Sequence, residues 1–84
     1  MPYEIIVKEP AERKLRKFPK DIQRRFAKRA EKLAENPHSF GKPLRNVLAG
    51  YWEDYFERRF RIIYTIDENS KTITIEAIKH KDEF

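Results

Sequence analysis

Arg59, Arg61, Glu76 and His80, with Tyr51, Glu53 and Tyr55 upstream, stand at spacings that one face of a β-sheet can collect. Side chains two residues apart on a strand point the same way. Together these residue types suit RNA cleavage by attack of a 2′-hydroxyl on the adjacent phosphate, which needs a base, an acid and positive charge around the phosphorane. His80 is the histidine of the group, and an imidazole both takes and gives a proton near neutral pH. Arg59 and Arg61 can hold phosphate oxygens through planar, charge-assisted hydrogen bonds. Tyr51 and Tyr55 offer rings on which splayed bases stack. Nothing in the set requires a metal or a cofactor. A plain structural account fits the same residues: Arg61 and Glu76 as a cross-strand ion pair, His80 as a solvated tail residue. Spacing alone leaves both readings open.

The elements that must position these side chains follow from periodicity. Tyr3, Ile5 and Val7 alternate with Glu4, Ile6 and Lys8, which predicts a first strand. Pro10 fits the first turn of a helix, where its missing N–H costs nothing. Ala11, Leu15 and Phe18 then make a short amphipathic helix ended by Pro19. A longer helix is expected from about Lys20, with Ile22, Phe26, Ala30 (or Arg29 by its stem), Leu33 and Ala34 on its apolar stripe, and Asn36-Pro37 stopping it. From His38 to Ala49, scattered Pro, Gly, Ser and Asn predict a loop with one irregular turn. His38 itself is assigned no catalytic role, and Pro43 and Gly50 serve to shape the chain. Three strands follow: Tyr51 to about Glu57, Arg59 to about Asp67, and Thr72 to about Lys79, the last two joined by the Asp67–Lys71 loop. One N-terminal strand, two helices and a three-stranded antiparallel meander make an α+β domain, β-α-α-β-β-β, with the helices on one sheet face.

Strand parity then assigns faces. Phe60, Ile62, Tyr64 and Ile66 form one apolar set expected to meet the helices, leaving Arg59, Arg61, Ile63 and Thr65 on the other side. In the last strand Ile73, Ile75 and Ala77 fit the helix side, and Thr74, Glu76, Ile78 and His80 the open side. The strand from Tyr51 reads both ways, since Trp52 and Phe56 share parity with Asp54. We place Trp52 and Phe56 inward.

At 84 residues the chain has room for one domain with one modest core, spanning 1–84. It has no cysteine, which excludes a disulfide framework and a thiolate metal site and fits a reducing cytoplasm. Its N-terminal apolar run, Ile5-Ile6-Val7, is far too short for a signal peptide or a membrane span, so a soluble cytoplasmic protein without a membrane partner is expected. The net charge of +5 is unevenly placed. Between Lys8 and Lys32 eleven basic residues face four acidic ones, a net of +7, whereas Leu33 to Phe84 carries eight basic and nine acidic residues. The excess therefore sits on the helices, with Arg24, Arg25, Lys28 and Lys32 off the apolar stripe. A polyanion partner is the natural inference, although Lys and Arg are also ordinary solvated helix formers.

The order of elements and the stretch Gly50-Tyr-Trp, Arg61-Ile-Ile-Tyr64 and Ile78-Lys-His80 resemble the RelE/ParE superfamily of type II toxin–antitoxin toxins over nearly the whole chain, most strongly from Lys42 onward. Arg61-Ile-Ile-Tyr64 resembles the RelE strand Tyr-Arg-Leu-Val-Tyr, whose Arg contacts the scissile phosphate. Lys42-Pro-Leu44, Gly50 and His80-x-x-x-Phe84 resemble the YafQ branch, whose terminal His acts in proton transfer and whose Phe helps seat the RNA. The resemblance thus implies His80 and Arg61 as first catalytic choices and a role for Phe84. Where that branch has histidines, an Asp-Trp pair and an Arg in the last strand, this chain has Lys42, Tyr55, Arg59-Phe60 and Glu76. That more basic character is closer to RelE. Lys42, Tyr55, Arg59, Glu76, Lys81 and Phe84 stand as secondary catalytic or RNA-binding candidates. Many relatives continue to a Tyr beyond the position of Phe84; if that Tyr is required, weaker activity is expected.

What the resemblance implies is a ribosome-dependent mRNA endoribonuclease that inhibits translation, needs no metal and is held inactive by a small antitoxin in a hetero-oligomer. The basic surface of Arg24, Arg25, Lys28 and Lys32 would face ribosomal RNA. Two other functions fit the same fold: a ParE-like inhibitor of DNA gyrase, and a noncatalytic RNA- or ribosome-binding module.

Overall fold

The computed structural model describes residues 2–83, apart from the side chain of Glu83; the expectation placed on Phe84 lies outside them. The first strand, β1 (Glu4–Val7), leads into α1 (Glu9–Arg16), with Pro10 in its first turn, and then into α2 (Lys20–Glu35). Acidic Glu9 and Glu12 open α1 and basic Arg13, Lys14 and Arg16 close it, the arrangement a helix dipole favours. Pro19 cannot donate the hydrogen bond that would continue α1, and its carbonyl accepts instead from Gln23 at 3.0 Å at the start of α2.

The expected loop holds more order than scattered turn residues suggest. It contains a one-turn helix, α3 (Pro37–Phe40), a two-residue strand, β2 (Lys42–Pro43), and a 3₁₀ turn over Asn46–Leu48. Gly41 is needed between α3 and β2 because the backbone passes against the Tyr64 hydroxyl, where any Cβ would collide. Tyr64 is fully buried and donates to the Pro37 carbonyl at 2.7 Å, so one phenol ties α3 to the sheet. Burial pushes that phenol's pKa up, and it stays protonated at physiological pH.

Three longer strands follow: β3 (Trp52–Phe56), β4 (Phe60–Asp67) and β5 (Thr72–His80). The sheet order is β1-β5-β4-β3-β2. β1 runs parallel to β5, reached through the helical crossover, and every other pairing is antiparallel. Between β4 and β5 the Asp67 carboxylate accepts from the backbone N–H groups of Asn69 (2.9 Å) and Ser70 (3.2 Å). Those bonds hold its pKa below the ordinary 3.8.

Both helices pack on one face. Ala11 and, from α2, Phe26, Ala30 and Leu33 meet Phe56, Ile62, Tyr64, Ile73, Ile75 and Ile78 in one core. Leu33, Ile62, Ile73 and Ile75 are fully buried, each contributing about 1.5–3 kcal/mol of transfer free energy. Trp52 and Phe56 point inward as expected. Asp54, sharing their parity, goes with them and is only 4% exposed. Arg29 of α2 reaches it with two hydrogen bonds, Nε to Oδ2 at 2.5 Å and Nη2 to Oδ1 at 2.7 Å, which satisfies the carboxylate inside the protein.

One irregularity redirects the end of the sheet. Ile63 pairs with Ala77 but Tyr64 pairs with Ile75, so β5 has one residue more than β4 at this point, Glu76, in a β-bulge. Beyond the bulge the alternation is inverted. Ile78, expected on the open side, is 3% exposed in the core, and Ala77, expected in the core, pairs across the open side with Ile63.

Candidate functional site at the end of the sheet

The side chains singled out in the sequence gather at one end of the sheet but on both of its faces. On the open face four strands bring their charges together through register. Lys42 pairs with Glu53, and Tyr55 pairs with Arg61, which pairs in turn with Lys79. Arg61 Nη1 lies 3.6 Å from Glu53 Oε2, and its guanidinium carbon stands 5.7 Å from the centre of the Tyr55 ring. Tyr55 is nearly half exposed, so its outer side can take a base. Three cations, one carboxylate and a ring therefore share a small area, a composition suited to a phosphodiester and an adjoining base.

The bulge aims Glu76 into the same face farther along. Its carboxylate meets Lys8 Nζ at 2.8 Å and accepts from Thr65 Oγ1 at 3.0 Å. It is thus held by Lys8 and Thr65 and not by the cross-strand pair with Arg61 that spacing allowed. Hydrogen bonding to Glu76 raises the Lys8 pKa, which keeps this ammonium charged.

His80 and Arg59 do not stand where alternation put them. Because the bulge inverts the phase of β5, His80 pairs with Phe60 on the helix side, and its ring meets the Phe60 ring edge-on with centroids 5.6 Å apart. It occupies the last position of β5 with its side chain 40% exposed. The Asp82 backbone N–H donates to His80 Nδ1 at 3.3 Å, while the Asp82 carboxylate lies 3.4 Å from the same nitrogen. Arg59 is not in a strand at all. Phe56 and Phe60 close a three-residue turn in which Glu57 (φ 53°) and Arg58 (φ 61°) are left-handed, and Arg59 turns toward α2 on the helix side. Lys81 opens a 3₁₀ turn over Lys81–Glu83, and its backbone N–H donates to the Arg59 carbonyl at 2.8 Å, pinning the terminal segment against the β3–β4 turn.

Arg24, Arg25, Lys28 and Lys32 are all exposed on α2, as its apolar stripe predicts. Arg25 also reaches Glu57 at 2.9 Å. Sequence reasoning missed Lys79 as a member of the open face, since only the bulge brings it beside Arg61. It also missed the Arg29–Asp54 pair, although both residues lay on core-facing positions, Arg29 three after Phe26 and four before Leu33.

Comparison with known proteins agrees with this architecture. Residues 5–83 match the family described as ParE toxin of type II toxin-antitoxin system, parDE. Among curated relatives, toxin RelE of Mycobacterium tuberculosis is 34% identical over 95% of this chain and 82% of its own length. Toxin RelG of the same organism is also 34% identical, over 96% and 93%. Among solved structures, a chain of the toxin-antitoxin complex RelBE2 from M. tuberculosis superposes with a TM-score of 0.87 at 32% identity, covering 96% of this chain and all of that one. The intact Escherichia coli RelBE complex shares the fold at 15% identity, with a TM-score of 0.78 over 93% of this chain and 95% of that one. In sequence and in fold, this chain belongs to the RelE/ParE superfamily of toxins of type II toxin–antitoxin systems.

Proposed function

We propose that the protein is a ribosome-dependent mRNA endoribonuclease that inhibits translation in the cytoplasm and is held inactive in a hetero-oligomer with a cognate antitoxin. The observation that carries this reading is the open-face group, in which Lys42, Arg61 and Lys79 surround Glu53 and Tyr55. In the reaction the 2′-hydroxyl gives its proton to the Glu53 carboxylate and the 2′-oxygen bonds to phosphorus as the 5′-oxygen leaves, giving a 2′,3′-cyclic phosphate and a new 5′-hydroxyl. Arg61 and Lys79 balance the charge that grows on the phosphoryl oxygens, a role commonly worth a factor of about 10²–10³. Tyr55 stacks on a neighbouring base. His80, partly exposed at the last position of β5, is the proton donor we assign to the 5′-oxygen. The exposed cations of α2 supply sequence-independent attraction to ribosomal RNA, which weakens steeply with salt. Relatives of this fold are found in complexes with antitoxins, and an acidic amphipathic partner complements the basic helices.

The test is to map transcript 5′ ends after induction of the native chain and of folded Arg61→Ala and His80→Ala variants. Codon-phased cuts that fade in both variants support the reading. One observation favours a second function, since the matching family is described by its ParE members. Growth arrest with intact transcripts and DNA-damage signalling would replace the nuclease with a gyrase inhibitor. Ribosome binding without arrest or cuts would identify a noncatalytic binding module.

A further inference from the structure

Where α1 gives way to α2, the chain and the β3–β4 turn enclose a cavity of about 430 Å³ on the helix side of the sheet. Its floor is apolar, made by Phe18, Ile22 and Phe60, and the Phe18 and Phe60 rings lie 4.9 Å apart. Arg25, Glu57 and Arg59 form its rim. Glu57 is balanced by Arg25 at 2.9 Å, so Arg59 sets the net charge at the mouth. We propose that this cavity is a nucleotide subsite, taking the base of a single-stranded RNA nucleotide on its aromatic floor and the attached phosphate on Arg59. The inference rests on the nuclease reading above and adds to it a second contact on the opposite face.

Three features select a nucleotide. The floor is aromatic and the mouth cationic, which matches a flat ring joined to a phosphate and gives a purely apolar side chain no use for Arg59. Phe60 is shared: one part of its ring lines the cavity and another meets the His80 ring edge-on, so a ligand here sits one ring away from the imidazole. Finally, Arg59, Phe60 and Arg61 are consecutive and address the turn, the cavity and the open face in that order. Arg59 lies in the β3–β4 turn and Arg61 on β4 two residues on, so the end of one hairpin presents a cation to each face of the sheet. A strand passing around the end of the β3–β4 hairpin is the path that would meet both arginines. The left-handed pair Glu57 and Arg58 sets Arg59 at the mouth of the cavity.

The test titrates the isotope-labelled full chain with adenosine 5′-monophosphate and uridine 5′-monophosphate, following side-chain resonances by NMR. Expected are saturable shifts of Phe18, Ile22 and Phe60, with NOEs from base protons to those side chains. Arg59→Glu, an exposed change whose fold the same spectra verify, weakens the affinity at least tenfold, and Arg59→Lys restores part of it. Saturation confined to Tyr55 and Arg61, the absence of cavity NOEs, or indifference to Arg59→Glu would each overturn the subsite. So would an acetylated Glu-Leu-Glu peptide giving the cavity NOEs where the nucleotides give none, which would assign the cavity to a protein anchor. The transcript mapping reads the nuclease separately: cavity NOEs without cuts keep the subsite and remove the nuclease, and cuts without NOEs do the reverse.

Discussion

Glu53 and Asp54 are neighbours on β3 that point to opposite faces, and each is partnered by an arginine. Asp54 is closed off from solvent, and Arg29 grips it as a fork with contacts of 2.5 and 2.7 Å. Glu53 lies on the open face with Arg61 at 3.6 Å, and the Arg61 side chain keeps 25% of its exposure. The same two chemical groups thus do different work because of where the strand turns them. In the first pair the guanidinium is spent on a carboxylate that must not be left alone in the core, and its pKa is raised by that bond. The second pair is a longer contact beside a tyrosine ring and other cations, a geometry that a phosphate can enter with little rearrangement. Burial and bond length together separate a structural clamp from a working surface.

The contrast is broken most severely from the buried side. Asp54→Ala leaves Arg29 without its carboxylate and is expected to cost about 3–5 kcal/mol in urea unfolding, a large share of a small domain's stability. Joint replacement by Arg29→Met and Asp54→Leu should recover most of that loss, because the cost lies in the stranded charge and not in the missing attraction. On the open side the signature is reversed. Arg61→Ala is expected to lower transcript cleavage about 10²-fold while unfolding stability changes by no more than about 1 kcal/mol. A comparable fall in stability would make Arg61 a second clamp and erase the distinction. Lys79→Ala, checked by the same cleavage assay, should cost roughly tenfold, less than Arg61 because an ammonium binds phosphate without the fork.

The smallest effect concerns acid. The folded Asp67 carboxyl has its pKa lowered by two backbone N–H bonds, so its contribution to stability is full above the unfolded value and is lost as pH falls through the folded one. Thermal melts of the native chain and Asp67→Asn should therefore differ at neutral pH and converge below about pH 4. A gap that persists or widens in acid would show that the loop is held by something other than this carboxylate.

Much of the architecture was legible because hydrophobic periodicity is a strong signal. Both helices, the proline stops and the inward set Phe60, Ile62, Tyr64 and Ile66 are where alternation and 3.6-residue spacing put them. The β2 strand escaped because two residues carry no period, and β2 exists through pairing with Glu53 and Trp52 rather than through its own composition. The site was half legible. Arg61 and Tyr55 lie before the bulge on β4 and β3 and kept their expected face, and Lys42 joined them through register. His80 lies after an extra residue that nothing in Thr72–His80 announces, since Ile75, Ile78 and Ala77 are all acceptable in a core. Arg59 was lost to the turn because left-handed Glu57 and Arg58 carry no glycine to mark them.

Glu76 uncouples the facing of the terminal segment from the alternation of the residues before it. Unpaired between Ile75 opposite Tyr64 and Ala77 opposite Ile63, it lets the residues on both sides of it keep a regular ladder with β4. Removing Glu76 would leave His80 opposite Phe60 and Ile78 in the core, whereas drawing Glu76 into the ladder opposite Ile63 would shift every later residue by one and send Ile78 opposite Arg61, out to water. The histidine's address is therefore written in a pairing register, and a one-residue slip of β5 at this point would redirect the sheet end more sharply than any exchange of one side chain for another.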